Sequence, residues 1–536
     1  MAVVPLTQVT LICSRGEVDV MLARLCETGM FHPSDRQGLV QDTQLVILSS
    51  KAHLVYSEAS NLIRRWGAAE AAPVRTFGAN SISDLVRLLQ RRTSELAEQL
   101  EGAPGAVSPG VLSELVSVRD AALAVFRDLN RIRVRPGLRR HLVLEGYAPT
   151  PRLSEFTSAL GRYLLSAEPV PRNQPGVPYV PSLVVNPGVV RIFEGVTLSL
   201  GVPKYNEVDP TPIVAFVFPL FFGIMFSDIG RGLVLLLGGL YLRGAKKESY
   251  RYLGRLLIVL GCAAAVVGAL RGTFFGFTLP YPAPLAFPSL ISQGPSLQTA
   301  TFWFEVGIVF GTLHLATGYA LAITNRLLSG DYAEALLGYV PTFVLYAATI
   351  PFVFALVAAG VDLQNVFSSS QPTPFFSTLL GVRLPASTVA DITFPMMAAS
   401  LLVLVFGRAA YKLYSTRRSK PALDSLWKGV VEAVVRPAEL LIHTVSYIRL
   451  GILLVVGSVL GELMAGLLSL GGFGVALAIP GNLAVIAIEA FIVYVQDLRL
   501  NVYEWFSKFY SGLGKAFVPL VSSGATFEVR WCFSLP

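Results

Sequence analysis

The stretch "HTVSYIRLGILLVVGSVLGELM", residues 443–464, sets one charge, Arg449, within a run otherwise fit for a lipid interior. A charged side chain at the centre of a spanning helix costs roughly 2.5–3.5 kcal/mol on insertion scales, so it is rarely kept for packing. No carboxylate stands three or four residues from Arg449; Glu439 lies ten residues earlier and Glu462 thirteen later. Arg449 must therefore meet a partner or a watery cavity. A second run, "NLAVIAIEAFIVYVQDLRLNVYEWFSKFY", carries Glu489, Gln496, Asp497 and Arg499. Gln496 and Arg499 share a helix face at i,i+3 spacing. Arginine stays charged at any ordinary pH. Flanked by carboxylates, it can separate an ion inlet from an outlet, repelling a cation while attracting a carboxylate on another subunit. For Arg499 a second reading stays open: it snorkels near a helix end or pairs with Asp497.

Such chemistry needs a membrane. The 536 residues are 53% hydrophobic and only 15% charged, where a soluble domain carries about 25%. Mean hydropathy is +0.58. Residues 1–205 hold charged stretches such as "RDLNRIRVRPGLRRH", whereas the chain after Asp209 is mostly apolar runs with short breaks. This predicts two domains: a cytosolic part over 1–205 and an integral membrane part over 206–536. The start "MAVVPLTQVT" lacks the basic residues and apolar core of a signal peptide, which keeps the first part in the cytosol. The net charge of +8 follows from basic loops on one side of a membrane and needs no nucleic acid. Four scattered cysteines and five dispersed histidines give neither a disulfide framework nor a metal site. No GxxxxGK[ST] loop occurs, so no ATP site and no cofactor are expected.

In the first part, "LTQVTLICSRGEVDVMLARLCETGM" reads as strand, turn and helix, and "HLVLEGYAPTPRLSEFTSALGRYLL" repeats the plan. Between them, two amphipathic helices joined by the breaker-rich "EGAPGAVSPG" predict an antiparallel helical-hairpin arm. With no ligand motif, docking or scaffolding is the expected role.

A spanning helix takes about 20 apolar residues. Runs of that kind lie near 256–272, 302–324, 336–360, 393–411, 438–469 and 481–503. Residues 211–242 are too long for one span and are broken by "SDIGRG". Asp228 there caps a helix or pairs with Arg231. The next loop, 243–255, carries five basic residues and is expected in the cytosol. That requires an even number of crossings, so 211–242 is read as a tight two-helix hairpin. The count is then about eight spans, the last two long and tilted, with external loops at 273–301, 361–392 and 470–480. The glycine pairs Gly307/Gly311 and Gly457/Gly461 are expected at helix contacts. His314 is expected to pack or hydrogen-bond, and "YEWFSKFY" to form an interfacial aromatic belt.

Several motifs in order resemble one family. "VPKYNEVDPTPIVAFVFPLFFGIMFSDIGRGLVLLL", "RGTFFGF", "HLATGYALAITN", "ELLIHTVSYIRL" and "QDLRLNVYEWFSKFYSGLGKAFVPL" resemble the membrane stator subunit, called a or I, of archaeal and vacuolar-type rotary ATPases. The resemblance covers about residues 180–520. It implies a non-catalytic subunit forming two ion half-channels against a rotating ring of small, carboxylate-bearing membrane subunits. It also implies peripheral stalks as partners, an ATP-handling head reached through them, and a prokaryotic, archaeal plasma membrane. On this likeness Arg449 matches the family's essential arginine, Arg499 its second, and Glu489 its last-helix glutamate. Gln496, Glu439 and Glu462 join them as candidates for ion translocation. Where many members carry histidines, this chain has none after Arg449 in "GILLVVGSVL", and Asn501 stands two residues after Arg499. The alternative of a stand-alone secondary transporter, with Arg449 binding an anion, would favour internal repeats, and none is found. A purely structural anchor leaves the buried charges without a use.

Overall fold

A computed structural model describes residues 3–67, 73–102, 108–138, 140–173, 180–279, 297–373, 382–416, 419–467, 471–521 and 523–533. The chain forms two compact units, Met1–Val184 with Gly514–Pro536, and Val185–Leu513. The C-terminal segment thus belongs to the first unit.

In the first unit, β1 (Leu6–Ser14) alternates in burial and lies between β4 (His141–Pro149) and β5 (Leu164–Pro169), both antiparallel to it; β2 (His32–Pro33) completes the order β2-β4-β1-β5. Helices α1 (Val18–Thr28) and α5 (Leu153–Leu160) follow the outer turns and close a core around Leu11, Leu22, Phe31 and Phe156. The arm is larger than a hairpin. Helix α2 (Thr43–Trp66), which the sequence reading did not single out, packs with α3 (Ile82–Glu101) and α4 (Pro109–Arg131). Asp42, Ser81 and Ser108 cap the three N-termini through their side chains, which satisfies backbone donors that a helix start leaves open. Residues 103–107 of the expected hairpin turn lie outside the described residues.

The C-terminal segment is woven into this unit. Strand β8 (Phe527–Trp531) pairs in parallel with β3 (Arg75–Ala79), β7 (Lys515–Ala516) pairs with β6 (Pro181–Ser182), and Leu520 is fully buried. Polar side chains fasten its backbone: Val518 N–H donates to His32 Nδ1, and Val521 N–H to Asp128 Oδ2, both at 3.0 Å. Arg131 donates to the Val518 carbonyl.

The second unit is mostly helical. Among the described residues, five helices are long and apolar enough to cross a membrane: Glu248–Arg271, Thr301–Leu328, Tyr332–Ala358, Ala386–Ser415 and Leu423–Gly466. Helices of this length and apolarity mark an integral membrane protein. The run 211–242 forms two 15-residue helices, α6 (Thr211–Met225) and α7 (Ile229–Arg243). They do not close tightly on each other; both pack on α8 (Glu248–Arg271). The reason is glycine. Gly232, Gly239, Gly254, Gly261 and Gly268 face backbone across the α7–α8 contact, and a Cβ on Gly261 would lie 2.7 Å from the Gly232 carbonyl oxygen. Helices α9 (Leu297–Leu328), α10 (Val340–Ala358) and α11 (Ala386–Leu402) follow. The run around Arg449 is broken into α12 (Ser419–Val445) and α13 (Ile448–Leu467). The last helix, α14 (Gly471–Arg499), covers most of the 470–480 stretch expected as a loop and passes into a π-helical turn over Leu500–Trp505.

Two predictions follow from these contacts. Gly261→Leu overpacks the α7–α8 contact, by about 1–3 kcal/mol; the purified protein in detergent should unfold several degrees lower, and an unchanged transition would refute the close approach. The second concerns pH. Burial, then the Arg131 charge, push His32 down to about 4, against the opposing pull of the Val518 carbonyl, 3.0 Å from Nδ1, and of Asp35, while Lys515 adds to the depression. Burial pushes Asp128 up to about 6, opposed by the Val521 N–H and Arg131. His32 therefore contributes stability that is complete above its unfolded value of 6.5 and fades as pH falls towards 4. Asp128 acts in the opposite sense, its contribution lost as pH rises through about 6. In Asp128→Asn the histidine effect stands alone, on the order of 2 kcal/mol. The protection factors of the Val518 and Val521 amides should then fall between pH 6.5 and 4 more steeply than in the wild type, and an equal slope would contradict this assignment.

Candidate functional site

Charged and polar side chains of the membrane unit gather at three levels along α12, α13 and α14. The first surrounds Glu439. Lys508 donates to Glu439 Oε1 at 2.7 Å, with Arg436 and His443 each 3.6 Å from the same carboxylate. The Lys508 side chain is 3% exposed, and its charge also lies 5.9 Å from the Tyr319 ring centroid. Glu439 is thus committed to three basic partners of its own chain.

The second level holds Arg449. Between α12 and α13 the helix tightens at Ser446–Tyr447, where Tyr447 and Arg449 N–H groups bond three residues back instead of four. Gly307 and Gly311 on α9 leave room for the Tyr447 carbonyl and ring. The Tyr447 hydroxyl lies 2.9 Å from His314 Nδ1, and the His314 ring stacks on Trp505 at 4.6 Å. His314 has the packing and hydrogen-bonding place expected of it. Arg449 Nη1 stands 3.9 Å from Glu504 Oε1. The partner that local spacing could not supply comes from the π-helical turn after α14, whose wider register carries Glu504 off the α-helical face. Asp497 is fully buried, and its Oδ1 accepts from Asn501 Nδ2 at 3.0 Å; Arg499 is exposed and does not pair with it. Gln496 is half-buried, and Arg499 lies within electrostatic range of Arg449. The aromatic belt is only partial: Tyr503 is exposed, while Trp505 and Phe506 belong to the core.

The third level is a buried ion pair. Arg231 Nη1 donates to Glu489 Oε2 at 2.6 Å, with 3% and 9% of the two side chains exposed. Asp228 caps α7 through the Arg231 N–H, so its expected bond to Arg231 is made by backbone, while the Arg231 guanidinium goes to Glu489. Asp228 also accepts from the N–H groups of Phe275 and Gly276, both at 2.9 Å. Arg271 donates to the Ser227 and Ser458 hydroxyls. Gly457 and Gly461 do more than pack helices: Gly457 makes room for the Glu489 carboxylate and Gly461 for the Arg231 guanidinium. Glu462 is exposed. Among the described residues no cluster of three or more His, Cys, Asp or Glu is fit to hold a metal.

Residues 71–254 match the V-type ATPase 116kDa subunit family. A-type ATP synthase subunit I of Saccharolobus solfataricus is 26% identical over 491 residues, covering 82% of this chain and 68% of that protein. Over these stretches the chain is similar to the subunit a/I proteins of archaeal and vacuolar-type rotary ATPases. The subunit I of Pyrococcus abyssi is 29% identical over 66% of this chain, and that of Aeropyrum pernix 27% over 69%. The chain spans 49% and 55% of the lengths of these two subunit I relatives.

The Glu439 level yields a direct test. Lys508→Met removes the shortest partner of the partly buried Glu439 carboxylate and should cost about 1–3 kcal/mol, visible as a lower unfolding temperature in detergent. Adding Glu439→Gln should recover most of that loss. A double variant as unstable as the sum of the singles would contradict the pairing.

Proposed function

We propose that the protein is the membrane stator subunit of a rotary A/V-type ATPase or ATP synthase. It forms two ion half-channels against a rotating ring of small, carboxylate-bearing membrane subunits. The observation that carries this reading is the setting of Arg449. Its side chain is 20% exposed and follows the stripe Ile452, Val456, Val459 and Leu463, all exposed on α13 at three- and four-residue spacing. A matching stripe of Ile488, Ile492 and Val495 on α14 ends at the exposed Arg499. An apolar face with two fixed positive charges suits a partner surface that brings one ionised carboxylate at a time. Glu504 beside Arg449 is a long contact at 3.9 Å, so the guanidinium retains donors for such a visitor.

In this reading Arg449 separates the half-channels, Arg499 and Gln496 line the approach on α14, and Glu489, Glu439 and Glu462 supply carboxylates at different depths. About eight crossings, with 1–205 and the C-terminal tail in the cytosol, agree with the basic loop 243–255 and with the absence of Lys and Arg from 272–325. The first unit would attach peripheral stalks that hold the subunit against the torque of an ATP-handling head. The chain itself would handle no ATP.

The test is ATP-driven ion pumping in vesicles containing the assembled complex. Arg449→Ala should abolish pumping, by more than tenfold, with assembly intact. Pumping within twofold of wild type would mean that Arg449 is a packing residue and would remove the basis of this function. Transport of an anion by the isolated protein would favour the transporter reading instead.

A further inference from the structure

Glu489 does not lie on the exposed face of α14. Its neighbours Ile488, Phe491 and Ile492 are 61%, 68% and 43% exposed, while Glu489 itself is 8% exposed and turned inward against Arg231. The pair sits in a polar chamber walled by α7, α8, α13 and α14, together with the turn at Phe275–Gly276. Four charged groups meet there. Asp228 is held on both oxygens by three backbone N–H groups, and Arg271 is spent on two serine hydroxyls. Glu489 is the one chamber carboxylate bound by a side chain alone, and Arg231 is its only ion-pair partner among the described residues.

From this geometry we propose that Arg231 is the positioning residue for Glu489. It holds the carboxylate inside the chamber, over the gap at Gly457, and keeps it off the exposed face of α14. The inference rests on the proposed ion-translocating function and adds a residue that neither spacing nor likeness assigned to it. Three features support it. The Arg231 backbone is fixed by the Asp228 cap, so the guanidinium starts from a rigid helix end. Its Nη1 reaches the Gly457 carbonyl at 3.2 Å as well as Glu489, which ties α7 to both α13 and α14 through one group. Its Nε and Nη2 are buried without a protein acceptor among the described residues. Buried donors of this kind are ordinarily met by water, which would give the Glu489 carboxylate a polar route to an ion. Arginine serves here because its charge does not titrate away, and its Nη1 alone addresses two acceptors at once.

The experiment uses the assembled complex in vesicles and reads ATP-driven pumping, ATP hydrolysis and assembly for Arg231→Met, Arg231→Lys, Glu489→Gln and the Arg231→Met/Glu489→Gln pair. Arg231→Met should lower pumping at least tenfold, and Arg231→Lys, which restores a charge, should recover it to within about threefold of wild type. A role confined to filling space would not distinguish Lys from Met in this way, since the two side chains are alike in length and only Lys carries the charge. If Arg231→Met fails to assemble, the double variant, which removes both buried charges, should assemble again; failure of that variant too would make Arg231 a packing residue and overturn the proposal. Pumping by Arg231→Met within twofold of wild type, or no gain from Lys over Met, would overturn it as well. Arg449→Ala, run alongside, separates the two levels of the account. If it is inactive while Arg231→Met pumps normally, the stator function stands and only the Arg231 assignment falls. If wild type pumps no ion, the function itself falls.

Discussion

A guanidinium in a low-dielectric interior must be met by an acceptor or by water, and the architecture of the membrane unit bends to that requirement. Arg449, Arg231 and Lys508 each find a carboxylate from a different part of the chain: Glu504, Glu489 and Glu439. The helices are not ideal where this happens. α12 and α13 are separated by a tightened turn beside Arg449, and α14 widens into a π-turn that presents Glu504. Irregular backbone inside a membrane is tolerated where it is buried in protein, and here it sits against α9, through Tyr447, His314 and Trp505.

Close helix contacts make those meetings possible. Glycines on α7 and α8 bring two backbones together, and Gly457 and Gly461 on α13 leave the space that Glu489 and Arg231 occupy. The same residue type thus serves packing in one place and admits a charge pair in another. The three levels are spaced along the helices, with about 12 Å between Arg449 and Gly457 at 1.5 Å per residue. That spacing suits separate ion steps with a fixed charge between them, which is the physical content of the stator reading.

Much of this was legible in the sequence, and the remainder was not for definite reasons. Arg449 was conspicuous because a lone charge in an apolar run is costly. The break at "SDIGRG" announced two helices, but their partner was hidden, because the seven-residue spacing of Gly232/Gly239 and Gly254/Gly261/Gly268 was not read as a contact face. Glu504 was passed over within "YEWFSKFY", since its position depends on a π-turn that α-helical spacing does not foresee. The pairing of Arg231 with Glu489 joins residues 258 positions apart, and no local pattern encodes such a contact. The C-terminal segment likewise reads as a tail, while Phe527, Val529 and Leu520 are buried in the first unit. Their alternation fits a strand, but the parallel partner β3 is distant in sequence.

The most direct test asks which face of the membrane unit would meet the proposed ring. With the exposed Cys262 and Cys532 changed to Ser, a cysteine is introduced at Val456 on the exposed stripe of α13, or at Leu237 on the exposed side of α7. The intact complex is then treated with a short thiol-to-carboxyl or thiol-to-thiol linker and the products are weighed by mass spectrometry. The account predicts a covalent adduct between Val456→Cys and the small ring subunit and none from Leu237→Cys. Linkage from Leu237→Cys, with Val456→Cys silent, would place the ring on another face and contradict the role assigned to Arg449.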